Sequence, residues 1–171
     1  MNFFHLDRFP QMENRYIQEA LDAKYKVTYK PNQDAAPSSF NNDHLIKYLN
    51  LKWNDTYNTD VRFGGLYMRN QPNSYYDWHT DIGRQCSLNW LIKTNDKALT
   101  LYRQHISAPE GNKSIMYDIQ TVEYALYKPT LLDTTKEHCV INPSSEERII
   151  FSLSIKAPFE QAKEFFEHVV V

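Results

Sequence analysis

Apolar and polar positions follow two different rhythms along this chain, one before about residue 50 and one after about residue 60. Over residues 10–26, Met12, Tyr16 and Ala20 recur four apart, joined by Ile17 and Leu21. That is the stripe of an amphipathic helix, and Pro10 suits its first position. Val27-Thr28-Tyr29 predicts a short strand, and residues 31–39, with two prolines and several polar turn formers, predict a loop. A second helix is expected over 42–49, capped by Asn42 or Asp43 and striped by Leu45, Ile46 and Leu49. From Val61 the period shortens to two. Strands are predicted near 61–69, 74–79, 86–93, 98–104, 114–118, 122–127, 130–134, 138–141 and 148–155, separated by clusters such as Asn70-Gln71-Pro72-Asn73 and Asn142-Pro143-Ser144-Ser145. Helical spacing returns after Pro158, with Phe159, Ala162, Phe165, Phe166 and Val169. The pattern predicts a mainly β protein in which flanking helices pack on a core of about eight antiparallel strands.

Composition narrows this reading only a little. A chain of 171 residues with 42% hydrophobic positions favours one domain with a real core. Its 12 Tyr, 9 Phe and 3 Trp suit strands and half-buried pockets. A formal charge of -2 and a pI near 6.3 argue against a large basic surface and hence against a nucleic-acid partner. Cys86 and Cys139 have no spacing of a disulfide framework or zinc knuckle, which predicts reduced thiols and a cytoplasmic setting, that of the host if the source is viral. No signal peptide or membrane span is expected.

Candidate chemistry gathers in Tyr75-Tyr76-Asp77-Trp78-His79-Thr80-Asp81. In an extended strand, residues two apart share a face, so His79 and Asp81 would project an imidazole and a carboxylate side by side. With His138, which opens a later strand, they make two imidazoles and one carboxylate. That set suits non-haem Fe(II) and leaves coordination positions open. On the strand that follows, Arg148, Ile150, Ser152 and Ser154 share one face, while Ile149, Phe151, Leu153 and Ile155 make the other wholly apolar. Either the polar side faces water, or it lines a barrel interior that holds an anion. An arginine fork is the side chain best suited to a carboxylate in such an interior.

The segment from Asp60 to Ile155 resembles the Fe(II)/2-oxoglutarate-dependent dioxygenases, especially the small prolyl-hydroxylase-like enzymes of bacteria and tailed phages. The resemblance rests on His79-Thr80-Asp81, His138 57 positions after Asp81, and Arg148 ten positions further on. It implies a double-stranded β-helix, or jelly-roll, core over residues 60–156. Residues 1–59 would give N-terminal helical support and residues 157–171 a C-terminal helix, all in one dioxygenase domain. It implies that His79, Asp81 and His138 ligate the iron. Arg148 would pair with the distal carboxylate of 2-oxoglutarate, helped by Ser152 and Tyr67. Asn89 would point inward with Ser87 and Leu91, where many relatives carry a co-substrate tyrosine at the Leu91 position. The implied activity is hydroxylation of an amino-acid side chain, peptidyl proline or a small molecule, with release of succinate and carbon dioxide, and with ascorbate as a supporting reductant.

Two other classes are kept beside it. A non-catalytic jelly-roll binding module would need none of these residues. A zinc-dependent cupin-type isomerase or hydrolase would use the three ligands but has no need of an inward Arg148. His5, His44, His105 and His168 have no matching partners and are read as surface or packing residues, and both cysteines as packing.

Overall fold

The computed structural model describes residues 1–9, 11–30, 33–39, 65–94, 97–111 and 114–169. In chain order the elements are β1 (Phe3–His5), α1 (Asn14–Asp22), β2 (Lys26–Lys30), β3 (Gln33–Pro37), β4 (Gly65–Asn70), β5 (Ser74–His79), β6 (Cys86–Lys93), β7 (Leu99–Ile106), β8 (Met116–Val122), β9 (Pro129–Asp133), β10 (His138–Asn142), β11 (Arg148–Ile155) and α2 (Phe159–Val169). The strands form a seven-stranded sheet, β1-β9-β6-β11-β4-β3-β2, and a four-stranded sheet, β5-β10-β7-β8, with every pairing inside them antiparallel. From β4 to β11 the chain crosses between the two sheets at every step but one, the β7–β8 pair within the small sheet, as in a jelly roll. The fold is mainly β with flanking helices, as the alternation predicts.

Several elements depart from the sequence reading. The N-terminal residues form β1, which pairs Phe3 with Leu132 and His5 with Thr130 on β9. Residues 33–37, expected in a loop, form β3 between β2 and β4. Pro37 lies at its end, and a backbone hydrogen bond from Ser38 to Gly65 continues the pairing past it. The strand expected over 114–118 forms as β8, which runs on to Val122, and the strand expected over 122–127 does not form beyond that residue. After Val122 the chain turns, and Tyr127 takes a left-handed φ of 63°. α1 is shorter than predicted. It buries Tyr16 and Ala20, but Leu21 is left 47% exposed, off the stripe. The helix expected over 42–49, and the 61–64 start of the strand expected over 61–69, fall outside the described residues.

The large sheet has two faces with different work. Its outer face carries Tyr67, Leu88, Trp90, Ile92, Leu131, Ile149, Phe151, Leu153 and Ile155, packed against Tyr16 and Ala20 of α1 and Phe159, Ala162 and Phe166 of α2. This cluster holds twenty buried residues among those described, against three in the cluster of Tyr102, Val122 and Leu132 between the sheets. At about 1.5–3 kcal/mol for each large apolar side chain withdrawn from water, the helix side supplies most of the hydrophobic stabilisation. The inner face is thereby free to hold polar groups. Register fixes which ones: Arg148 lies opposite Asn70, and Ser152 lies between Leu66 and Asn89.

Candidate functional site

His79 ends β5 and His138 begins β10, and antiparallel pairing sets them directly across from each other. Their rings lie 4.3 Å apart between centroids. Asp81 lies beyond the end of β5, in a turn rather than a strand. Its backbone N–H donates to the Thr134 carbonyl at 2.9 Å, which holds the turn against the end of β9. His79 Nε2 lies 3.7 Å from Asp81 Oδ1, and His138 Nε2 lies 3.9 Å from Asp81 Oδ2. Ligand atoms from all three residues fall within 4.8 Å of one another, so one ion can be reached by all three.

Each imidazole is oriented for ligation. His79 Nδ1 is 2.6 Å from the Asp77 carbonyl and His138 Nδ1 is 2.9 Å from the Lys136 carbonyl. A carbonyl only accepts, so each Nδ1 carries the proton and each Nε2 keeps its lone pair toward the cluster. Burial also pushes the His138 pKa down, favouring the neutral ring that binds a metal. Tyr76 packs edge-on to His79 at 4.2 Å, and Tyr102 lies beside His138 with its hydroxyl on the Asp133 carbonyl. These donors and their buttressed rings fit a divalent metal of the 2-His-1-carboxylate type.

Arg148, at the start of β11, is 1% exposed. Its Nη1 donates to Asn70 Oδ1 at 3.2 Å and its Nη2 to Thr100 Oγ1 at 3.1 Å, so it bridges the two sheets. Its guanidinium carbon is 5.1 Å from the centre of the Tyr124 ring. The Tyr124 hydroxyl is buried and makes no hydrogen bond of good geometry among the described residues. No carboxylate among them pairs with Arg148, and burial pushes its pKa down. Thr100 faces Val140 on β10, two residues along from the pair Tyr102–His138. The guanidinium therefore anchors about 7 Å along the strands from the histidine pair. A buried cation, a neighbouring buried hydroxyl and no acid together suit the carboxylate of a small anion.

The remaining candidates separate. Tyr67 is opposite Phe151 in register, so it points away from Arg148 into the helix-side core. Its hydroxyl donates to Glu19 Oε2 at 3.1 Å. The expectation that Tyr67 meets the co-substrate is corrected: its place in the pleat puts it on the outer face. Tyr67→Phe accordingly costs about 1 kcal/mol of stability, measurable by chemical unfolding. Ser152 does face inward, but its hydroxyl accepts from Arg84 Nη1 at 2.9 Å. It sits two pleat repeats along β11 from Arg148, so it lies at the Asp81 end. Asn89 faces inward beside Ser152 and Thr130, 5% exposed, with Oδ1 buried and without a hydrogen-bond partner among the described residues.

Arg84, Asn70, Thr100 and Tyr124 carry no role in the sequence reading. Arg84 had a local signal, since an arginine three residues after a candidate ligand aspartate can fold back onto it. The other three meet Arg148 only through strand pairing and sheet packing. The cysteines are free and buried, and burial raises both thiol pKa values, Cys86 to about 12 and Cys139 to about 11, in keeping with packing roles.

No family model matches the sequence, and no curated protein does. Solved structures do. HygX from Streptomyces hygroscopicus, solved with nickel, 2-oxoglutarate and hygromycin B bound, superposes with a TM-score of 0.60 at 9% identity, covering 92% of this chain and 84% of that one. A prolyl hydroxylase from Trichoplax adhaerens, in complex with a hypoxia inducible factor oxygen degradation domain peptide fragment, gives 0.55 at 14% identity, covering 89% and 80%. An oxidoreductase of the 2OG-Fe(II) oxygenase family from Burkholderia pseudomallei gives 0.54 at 11%, covering 85% and 79%. The chain has the jelly-roll fold of the 2OG-Fe(II) oxygenases. At these identities the likeness is one of fold, and the chemistry rests on the chain's own residues. Among the described residues, no helix is long and apolar enough to cross a membrane.

Proposed function

We propose that this protein is an Fe(II)- and 2-oxoglutarate-dependent dioxygenase that hydroxylates an amino-acid side chain, either a peptidyl proline-like residue or a small molecule. One observation carries the reading. A fully buried arginine without an acidic partner among the described residues faces the same inter-sheet space as the His79, Asp81 and His138 cluster. A zinc hydrolase of cupin type has use for the cluster but not for that arginine.

His79, Asp81 and His138 would hold the iron on one side and leave its other positions free. Arg148 would take the distal carboxylate of 2-oxoglutarate in its fork, with Thr100 and Asn70 holding the guanidinium level and the Tyr124 hydroxyl free to donate to the same carboxylate. When bound, iron and 2-oxoglutarate supply the oxidising chemistry, and the protein orients and shields them. Tyr76 against His79 and Tyr102 against His138 would limit water around the ligands, which strengthens each polar contact inside.

The test is succinate release from 2-oxoglutarate with Fe(II) and ascorbate, first without substrate and then with proline-containing peptides and free amino acids. Slow uncoupled turnover is expected in the wild type and none in Arg148→Ala. Turnover of another substrate with zinc, with no binding of 2-oxoglutarate, would overturn the proposal in favour of a cupin-type enzyme.

A further inference from the structure

Arg84 lies three residues after Asp81 and folds back onto it. Its Nε and Nη2 both donate to Asp81 Oδ2, each at 2.7 Å. Its third terminal group, Nη1, donates to Ser152 Oγ at 2.9 Å and lies 3.5 Å from Ser154 Oγ. The backbone of the same turn is tied down as well. Thr134 accepts from Asp81 N–H, donates its own N–H to the Gln85 carbonyl at 3.1 Å, and sets its hydroxyl 3.5 Å from the Arg84 carbonyl. Gly83, at φ 90°, makes the reversal that a side-chain-bearing residue would resist. The side chain of Arg84 is 24% exposed and that of Asp81 is 17% exposed, so the pair is partly shielded from solvent.

The consequence concerns how the carboxylate presents itself. Two strong donors occupy Oδ2, which lies 3.9 Å from His138 Nε2, while Oδ1 lies 3.7 Å from His79 Nε2 and outside the arginine fork. A free aspartate can swing about its side-chain torsions and offer one oxygen or both to an ion. With Oδ2 held by a planar fork, and that fork itself held by Ser152 on the sheet that carries Arg148, the carboxylate has one rotamer and one oxygen to give. We infer that Arg84 is a positioning residue that makes Asp81 a single-oxygen ligand and locks the metal turn to β11 through Ser152. The inference rests on the proposed metal site. It adds that the polar inner face of β11 has two tasks: Arg148 for the co-substrate at one end, Ser152 and Ser154 for the ligand turn at the other.

The experiment uses the apo protein titrated with Co(II), read by visible absorption, and with Mn(II), read by loss of free-ion signal. Wild type is expected to bind one ion. Arg84→Gln is expected to weaken binding about 10- to 100-fold, the range typical of lost outer-shell partners. Its Co(II) spectrum should change in intensity, because the freed Oδ2 joins the ion and raises the coordination number. Arg84→Lys restores a cationic donor to Oδ2 and should recover the wild-type spectrum with part of the affinity. Ser152→Ala loosens only the far end of the fork, so a smaller loss in the same direction is expected, and it serves as the test should Arg84→Gln fail to fold. A merely structural role would shift the melting temperature and leave the Co(II) spectrum of the folded variant alone. Wild-type affinity and spectrum in both Arg84→Gln and Ser152→Ala would overturn the inference while leaving the metal site standing. A wild type that binds no ion would overturn both.

Discussion

On the proposed function, Asp81→Ala, His79→Ala and His138→Ala are each expected to abolish Fe(II)-dependent succinate release and to lower metal affinity by more than the roughly 10- to 100-fold that an outer-shell partner is worth. The expectation follows from the size of the cluster. Three side chains offer all the protein donors, their ligand atoms lie within 4.8 Å, and the two Nδ1 groups are committed to backbone carbonyls. No fourth donor stands by to take the place of a missing one among the described residues. The three variants differ in their cost to folding. His138 is 6% exposed and packs against Tyr102, so its removal opens a cavity. Asp81 is more accessible, and its loss leaves Arg84 without its carboxylate but still bonded to Ser152. Asp81→Ala is therefore the cleaner variant, and its unfolding curve should move least. Calorimetric titration with Mn(II) and a coupled succinate assay check both parts. Retained metal-dependent turnover in Asp81→Ala would mean that the reaction does not use this cluster.

On the same proposal, Arg148→Met is expected to remove the stabilisation that 2-oxoglutarate would give and to leave the protein without ligand about as stable as before. The two halves have separate causes. In the absence of an anion, an ionised guanidinium at 1% exposure has, among the described residues, Asn70, Thr100 and the Tyr124 ring for company. Desolvating such an ion costs on the order of several kcal/mol, so an apolar side chain of similar length gives back much of what it loses. Against that, the Asn70 and Thr100 oxygens lose a donor, at about 1–3 kcal/mol each where burial is complete. The opposing effects leave a net change expected within about 2 kcal/mol. With ligand the balance changes. At a hundred times its Kd, 2-oxoglutarate should stabilise the wild type by about 2.7 kcal/mol. At that same concentration Arg148→Met should gain nothing measurable. Arg148→Lys should fall between, since the ammonium keeps the charge and loses the two-pronged fit. Thermal unfolding with Mn(II), with and without 2-oxoglutarate, reads all three proteins. A full ligand-induced shift in Arg148→Met would remove the anchor from the proposed co-substrate site.

Much of the strand pattern was legible because the buried face of each strand is short, apolar and regularly spaced. β6 and β11 fall where alternation predicts them, at 86–93 and 148–155. β1 and β3 were missed for the opposite reason. Three residues of Phe-Phe-His and the run Gln-Asp-Ala-Ala-Pro carry little apolar signal, and they become strands because neighbours offer unpaired backbone edges. The meeting of His79 and Asp81 has a different cause from the one the spacing suggests. His79 and Asp81 do meet, yet through a turn pinned by Thr134 rather than through the pleat of one strand. Tyr67 shows the limit most plainly. Both faces of the large sheet are covered, one by helices and one by the small sheet, so a buried tyrosine is equally at home on either.

The sequence by itself determined the periodicities, hence a mainly β chain with flanking helices, and it determined the residue types that make an iron-and-carboxylate reading worth testing. Only the tertiary structure decided that His79 faces His138, that Arg148 spans both sheets, that Tyr67 turns away and that Arg84 grips Asp81. The reason is physical: a period of two says which residues of one strand share a side, while register between distant strands comes from closing the whole sheet over its core.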